Sequence, residues 1–223
     1  MATHLITGAG SGIGAVLARR LLDRGDSLVL LARSEERAAE LRATYAGAEV
    51  LVADLARPES VEPLALPASL DSVVHGAGVV ELGPVAELSV DDWVSQLQVN
   101  LVAPATLTRV ALPALRAARG TVVFVNSGAG LHAHPQWSAY AASKHGLRAL
   151  ADSLRGEEPS VRVTTIYPGR TATAMQEKVH AQEGKEYDAS AWTRPETVAD
   201  AILGVLDLPR DATISDVTVR PTV

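Results

Sequence analysis

The sequence predicts a doubly wound α/β fold, a mostly parallel seven-stranded sheet with helices on both faces. Three observations predict it. Short apolar runs alternate with longer stretches of helical character, which is the pattern of successive βαβ units. Runs such as Leu28-Val29-Leu30-Leu31 and Val122-Val123-Phe124-Val125 are continuously apolar, as strands covered by helices on both faces must be. The run at residues 4–7 is followed by a glycine-rich turn and then a helical stretch, the opening unit of such a sheet.

The elements follow in order. A first strand over residues 4–7 leads into the glycine turn and a helix over 13–23 that stops at Gly25. A second strand, 27–32, precedes a helix over 35–45 that Ser34 can cap and Gly47 ends. A third strand, 49–53, is followed by three prolines between Asp54 and Asp71, a compressed connection where a longer helix might have stood. The fourth strand is 72–75. Residues 90–118 read as helix but contain Pro104 and Pro113, so this stretch is expected to be kinked or divided. Gly120 ends it, and strand 121–126, helix 139–156, Pro159 and strand 161–167 follow. A helix over 195–207 opens on Pro195, and strand 214–219 closes the sheet.

At 223 residues the chain is expected to form one domain, residues 1–223, because α/β folds often occupy this length as one unit. Its 47% hydrophobic and 21% charged content supports a sizeable core and argues against disorder. With three Trp, four Tyr and one Phe, Ala, Val and Leu must fill that core. A net charge of −6 without a Lys/Arg tract gives no footprint for nucleic acid or an anionic membrane. The chain has no cysteine, which excludes disulfides, thiol catalysis and cysteine-ligated metal. Met1-Ala2-Thr3-His4 leads straight into the first strand without a basic n-region and long apolar segment, and no run has the ~20 apolar residues a membrane span needs. A cytoplasmic protein is expected.

Gly8, Gly12 and Gly14, with Ser11 and Ile13 between them, form a G-x-x-x-G-x-G turn between strand and helix. Such a turn places backbone N–H groups and the positive end of a helix dipole beside a pyrophosphate. The absence of Gly-Lys-Ser/Thr argues against a nucleoside triphosphate loop; the plainer alternative is a turn that only packs helix on strand. At the end of the second strand, ~20 residues on, an acidic residue would bind the ribose of NAD whereas arginine accommodates the 2′-phosphate of NADP. Here Ala32 holds that position and Arg33 follows, so a guanidinium stands without a competing carboxylate. NADP(H) is favoured over NAD(H). The alternative is a solvated arginine beside an N-cap serine, Ser34.

Tyr140 and Lys144 are spaced i,i+4 on a predicted helix and share one face. An ordinary tyrosine titrates near 10, and lowering it by ~3 units requires about 4 kcal/mol. A unit charge about 4 Å away at an effective dielectric near 20 supplies roughly that amount, so Lys144 is expected to lower the Tyr140 pKa. Ser127 ends the fifth strand and enters Gly128-Ala129-Gly130, at the carboxyl edge where ligands bind in open sheets.

Thr7-Gly8-Ala9-Gly10-Ser11-Gly12-Ile13-Gly14, Ser127 and Tyr140-Ala-Ala-Ser-Lys144 together resemble the short-chain dehydrogenase/reductase family in its compact single-domain branch, over residues 3–221. The resemblance implies a Rossmann-type fold and direct hydride transfer. It assigns Tyr140 as proton donor or acceptor, Lys144 as the group that lowers its pKa and holds the nicotinamide ribose, and Ser127 as the group that steadies the substrate oxygen. Asn100, in Gln98-Val99-Asn100, resembles the asparagine that positions a water for a proton relay to the lysine. Asp54 and Leu55 resemble the pair that contacts adenine, although Asp54 is also a good turn cap. His75-Gly76-Ala77-Gly78 matches the family's Asn-Asn-Ala-Gly segment, with Gly76 and Gly78 against the cofactor; His75 is a departure with no chemical role. Pro168, Gly169, Thr171 and Thr173 resemble the segment that holds the carboxamide, and Thr173 alternatively caps a helix beginning near Ala174. A homodimer or homotetramer through helices at 101–118 and 139–156 is implied.

His132, His134, Trp137 and Met175 are candidates for the substrate pocket, in loops beyond the strand ends. The His132-x-His134 pair lacks a third ligand, and no metal is expected. The charged segment 176–192 is expected to be a mobile lid over the site, the alternative being a solvated surface helix. The reading is an NADPH-dependent reductase of a small ketone or aldehyde, or the reverse oxidation of a secondary alcohol, with Tyr140 as general acid or base. The alternatives are a dinucleotide-sensing protein without turnover, which would need only the cradle, and a sugar-nucleotide epimerase or dehydratase, for which no separate substrate domain is available.

Overall fold

A computed structural model describes residues 1–222. The strands β1 (Thr3–Thr7), β2 (Ser27–Ala32), β3 (Glu49–Val52), β4 (Ser72–His75), β5 (Thr121–Val125), β6 (Arg162–Pro168) and β7 (Asp216–Val219) form one sheet. Its order is β3-β2-β1-β4-β5-β6-β7, with every pairing parallel. Around it lie α1 (Gly12–Asp23), α2 (Glu35–Thr44), α3 (Val90–Leu97), α4 (Ala103–Ala118), α5 (Ser138–Glu157), α6 (Ala174–Gln182) and α7 (Pro195–Leu206).

Strand side chains alternate between two cores, the consequence of the two-residue period of a pleated strand. Ile6, Leu30, Val74, Val123 and Ile166 pack against α1 and α7 through Leu17, Leu21 and Ile202. Leu5, Val29, Val73, Val122 and Phe124 pack against α4 and α5 through Leu107, Leu115, Leu147 and Ala151. Burial of both faces accounts for the continuous apolar runs.

β1 is an inner strand, with Leu5 opposite Val29 of β2 on one side and Val73 of β4 on the other. The winding reverses there, so the connections leaving β1 and β4 diverge and open a crevice at the carboxyl ends of the strands.

The helical stretch 90–118 is divided, as its prolines suggest, but the break precedes both. A π-helical turn, Gln98–Val102, joins α3 to α4, and the Ala103 amide reaches back to the Gln98 carbonyl. Pro104 falls in the first turn of α4, where its missing N–H costs little, whereas Pro113 lies inside the helix. Between β3 and β4 only a short 3-10 turn forms, Pro58–Val61. α6 is the helix whose extent the apolar pattern does not reveal: Thr173 caps it, and its buried residues Gln176, Val179 and His180 include two polar ones.

Candidate active site

A cleft of about 1000 Å³ follows the carboxyl edge of the sheet, from Arg33 at one end to Trp137 at the other. Its floor is the glycine turn. Gly8 and Gly12 have φ of +78° and +53°, in the left-handed region open to glycine. A Cβ on Gly8 would stand 2.7 Å from the Ala77 nitrogen, and one on Gly14 would collide with the Gly8 carbonyl oxygen. Thr7 Oγ1 accepts from the Gly76 and Ala77 amides, both at 3.1 Å, and so bolts the turn to the segment after β4. α1 opens at Ser11 without a side-chain cap, which leaves its positive end facing the cleft. This cradle fits a dinucleotide pyrophosphate.

Arg33 is exposed on the cleft wall. Asp54 and Leu55 line the cleft too; Asp54 Oδ1 accepts from the Ala56 amide at 3.1 Å, so it also serves its own turn. Arg37 was not among the expected residues. Its guanidinium would meet a Cβ on Gly10 at 2.7 Å, one helical turn beyond Arg33, and that spacing was the signal that could have found it.

At the other end, Tyr140 and Lys144 come off one face of α5 and are only 6% and 4% exposed. Lys144 Nζ donates to the Val125 carbonyl at 3.0 Å and lies 5.8 Å from the centre of the Tyr140 ring. Burial lowers the Lys144 pKa to about 8. Burial likewise raises Tyr140, with a hydrogen bond from Ser127 opposing it. The expected lowering of Tyr140 by Lys144 is therefore corrected: in the free protein desolvation of the phenolate dominates, because the ammonium is directed at a strand carbonyl. Ser127 is aimed by Asn126, unnoticed in the sequence, whose Oδ1 accepts the Ser127 amide at 2.8 Å and whose Nδ2 donates to the Lys144 carbonyl at 3.0 Å.

Asn100 is 1% exposed. Its Oδ1 accepts from the Val79 amide at 2.9 Å, and its Nδ2 donates to the Val79 carbonyl at 2.9 Å and to Ser143 Oγ at 3.0 Å. The side chain thus splints the segment after β4 to the π turn and α5. A Cβ on Gly78 would lie 3.2 Å from Asn100 Oδ1 and 3.8 Å from Lys144 Nζ, so Gly78 brings backbone close to both. His75 is buried, hydrogen-bonded to Thr108 at 2.9 Å and stacked on Phe124, away from the chemistry; burial lowers its pKa to about 3.

Pro168 ends β6, and the Gly169 amide donates to the Val219 carbonyl at 2.7 Å. Thr171 Oγ1 donates to Gly169 O, and Thr173 Oγ1 accepts from the Gln176 amide. Thr173 also reaches the glycine turn: its Cγ2 would be 3.1 Å from a Cβ on Gly12. Pro168, Gly169, Thr171 and Thr173 all line the cleft. Trp137, His134 and Met175 do as well, whereas His132 does not and is exposed. Among the described residues no three His, Cys, Asp or Glu come together as a metal site, and no helix is long and apolar enough to cross a membrane.

Segment 176–192 is fastened over this end. Lys178 Nζ donates to Val80 O at 2.9 Å and pairs with Glu81 at 2.7 Å. Arg170 Nη2 donates to both Glu183 carboxylate oxygens, at 2.8 and 2.9 Å, and the guanidinium lies over Trp192. Thr171 bridges Thr193.

A family model described as short chain dehydrogenase matches residues 2–184. The chain belongs to that family, and it is an oxidoreductase fold with a nicotinamide-dinucleotide cradle. Among its relatives, an uncharacterized oxidoreductase of Staphylococcus aureus is 28% identical over 227 residues, covering 97% of this chain and 96% of the relative. Among solved structures, an alcohol dehydrogenase from the archaeon Thermococcus sibiricus complexed with 5-hydroxy-NADP superposes with a TM-score of 0.85 at 28% identity, covering 99% of this chain and 97% of that one. A serine dehydrogenase in its closed form with NADP+ gives 0.87 at 26% identity, with 98% and 94% covered.

Proposed function

We propose that this chain is a single-domain, NADP(H)-dependent carbonyl reductase that interconverts a ketone or aldehyde and the corresponding alcohol. The observation that carries this reading is the burial of Tyr140 and Lys144 beside Ser127 at one end of a cleft whose other end holds Arg33. When bound, the reduced nicotinamide supplies the hydride. Burial keeps the Tyr140 phenol protonated, so it begins as the acid that reduction needs. The Ser127 hydroxyl holds the substrate oxygen, and Tyr140 gives that oxygen its proton. Lys144, charged below about pH 8, offsets the phenolate left behind; at about 6 Å and an effective dielectric near 20 this is on the order of 3 kcal/mol. Asn100 and Asn126 hold these groups in place, and Asn100 is the entry point for proton resupply to Lys144.

The glycine turn from Gly8 to Gly14 takes the pyrophosphate, with Asp54, Leu55, Gly76 and Gly78 along the adenosine and nicotinamide sides. The segment from Pro168 to Thr173 takes the carboxamide. Arg33, with no carboxylate at position 32, favours the 2′-phosphate of NADP. The two NADP-bound neighbours support that preference. A sensing role is not favoured, because a sensor has no use for a buried lysine beside a buried tyrosine. A cytoplasmic homodimer or homotetramer acting on a small molecule completes the reading.

Parallel titrations with NADPH and NADH, followed by nicotinamide emission, test it. NADPH should bind at least about tenfold tighter, and Arg33→Asp should reverse the order, since a charge-assisted contact to phosphate is worth about 1.5–3 kcal/mol. Tyr140→Phe should keep NADPH binding and abolish turnover over a carbonyl panel. Equal binding of the two cofactors, unaffected by Arg33→Asp, would remove the NADP assignment.

A further inference from the structure

The substrate end of the cleft is apolar and its charges are already spent on each other. Val80, Ala129 and Val179 form one buried cluster with Tyr140, and Trp137 packs against it. Met175, 39% exposed, lies opposite, where its Cε would be 3.9 Å from a Cβ on Gly78. Trp137 is aimed by a strained residue: Gln136 has φ +70°, which costs about 1 kcal/mol for a non-glycine residue. Its carbonyl is held by the Gly83 amide at 2.8 Å. The indole meets Tyr140 edge-on, ring centres 5.7 Å apart and planes at 69°, so an apolar wall stands beside the Tyr140 ring.

The charged groups at this end, apart from Lys144, are Arg170, Glu183 and Lys185. Arg170 is occupied twice, by both Glu183 oxygens and by the Trp192 face. Lys185 Nζ lies 3.2 Å from the same carboxylate and stands mostly in water. His134 is exposed at the rim. A substrate carboxylate or phosphate placed near Tyr140 would therefore find an apolar wall, and it would have to break the Arg170–Glu183 pair to gain that guanidinium as counter-ion. Burying an unpaired anion is among the costliest things a site can do.

We propose that the substrate is an uncharged ketone or aldehyde with a flat apolar body that rests on Trp137, and that the Arg170–Glu183 pair excludes carboxylate-bearing carbonyl compounds. This rests on the reductase reading above. The reaction is balanced by hydride from NADPH to the carbonyl carbon and the Tyr140 proton to its oxygen, giving the neutral alcohol and NADP+.

The test compares acetophenone with 4-acetylbenzoate, which differ by one carboxylate. With NADPH, kcat/KM should favour acetophenone by at least about tenfold. Trp137→Ala should lower kcat/KM for acetophenone by about tenfold through KM, with NADPH affinity unchanged. Glu183→Gln should free Arg170 and raise kcat/KM for 4-acetylbenzoate at least about tenfold while acetophenone reduction persists. A preference below tenfold, or indifference to both substitutions, overturns the proposal. Ligand-observed NMR of the two compounds on the protein, with and without NADP+, reads the pocket separately from turnover. If NADPH fails to bind or neither compound is reduced, the reductase reading fails, yet binding of 4-acetylbenzoate equal to or tighter than acetophenone would still overturn the substrate class.

Discussion

Tyr140 and Lys144 illustrate how burial changes what a motif implies. The i,i+4 spacing showed in the sequence that the two share a helix face, but it could not show that the lysine head would be directed at the Val125 carbonyl and that desolvation would raise the phenol rather than lower it. The functional consequence lies in the lysine. Its pKa of about 8 is below the ordinary value, so it is charged at neutral pH and discharges as pH rises through 8. For carbonyl reduction by the NADPH-loaded enzyme, kcat/KM should be level from about pH 6 to 7.5 and then fall by up to about tenfold per unit. A profile level to pH 9.5 would show that the Lys144 charge has no part in the step. Arg33 was legible as a residue following a strand, because its position counts from the glycine turn, and Arg37 could have been found from its spacing to Arg33; Asn126 was not legible, because what it does depends on Ser127 and the Lys144 carbonyl being near in space.

All seven strands lie within a few residues of their expected bounds, and the inner ones were legible because an apolar run had two faces to bury. Legibility stopped where polar residues hold the structure. α6 buries Gln176 and His180, joined to each other through the His180 ring, and such a face has no apolar period to detect. The break between α3 and α4 was expected, but the contacts that hold it were not: Asn100 exchanges two hydrogen bonds with Val79 and a third with Ser143, contacts that no local pattern reports. Asn100→Ala should leave the Val79 amide and carbonyl without partners and destabilise the protein by about 2 kcal/mol. Asn100→Asp, which turns a carboxylate oxygen on the Val79 carbonyl where Nδ2 donated, should cost at least as much in urea unfolding at neutral pH. An unchanged midpoint for the alanine variant would mean that this splint holds nothing.

For the molecule as a whole, the buried histidines set an acid limit. His75 titrates at about 3 when folded against 6.5 when unfolded, so below pH 6.5 the unfolded chain binds a proton that the folded one refuses. Its contribution to stability is intact above 6.5 and is lost progressively as pH falls toward 3, by about 2 kcal/mol at pH 5. His4, also lowered by burial, acts with the same sign. Urea unfolding at pH 7 and 5 measures the difference, and His75→Asn should flatten it; an equal loss in that variant would place the acid sensitivity elsewhere. The sheet order has a consequence of another kind. β1 precedes both of its neighbours in the chain, β2 and β4, and Ser72 of β4 reaches His4 across 68 residues. At about 5–20 residues per second a ribosome needs roughly 3–14 s to deliver that partner. Throughout that interval one edge of the nascent Leu5-Ile6 strand lies open, so slowed translation would lower the yield of folded protein and a factor that shelters nascent chains would raise it.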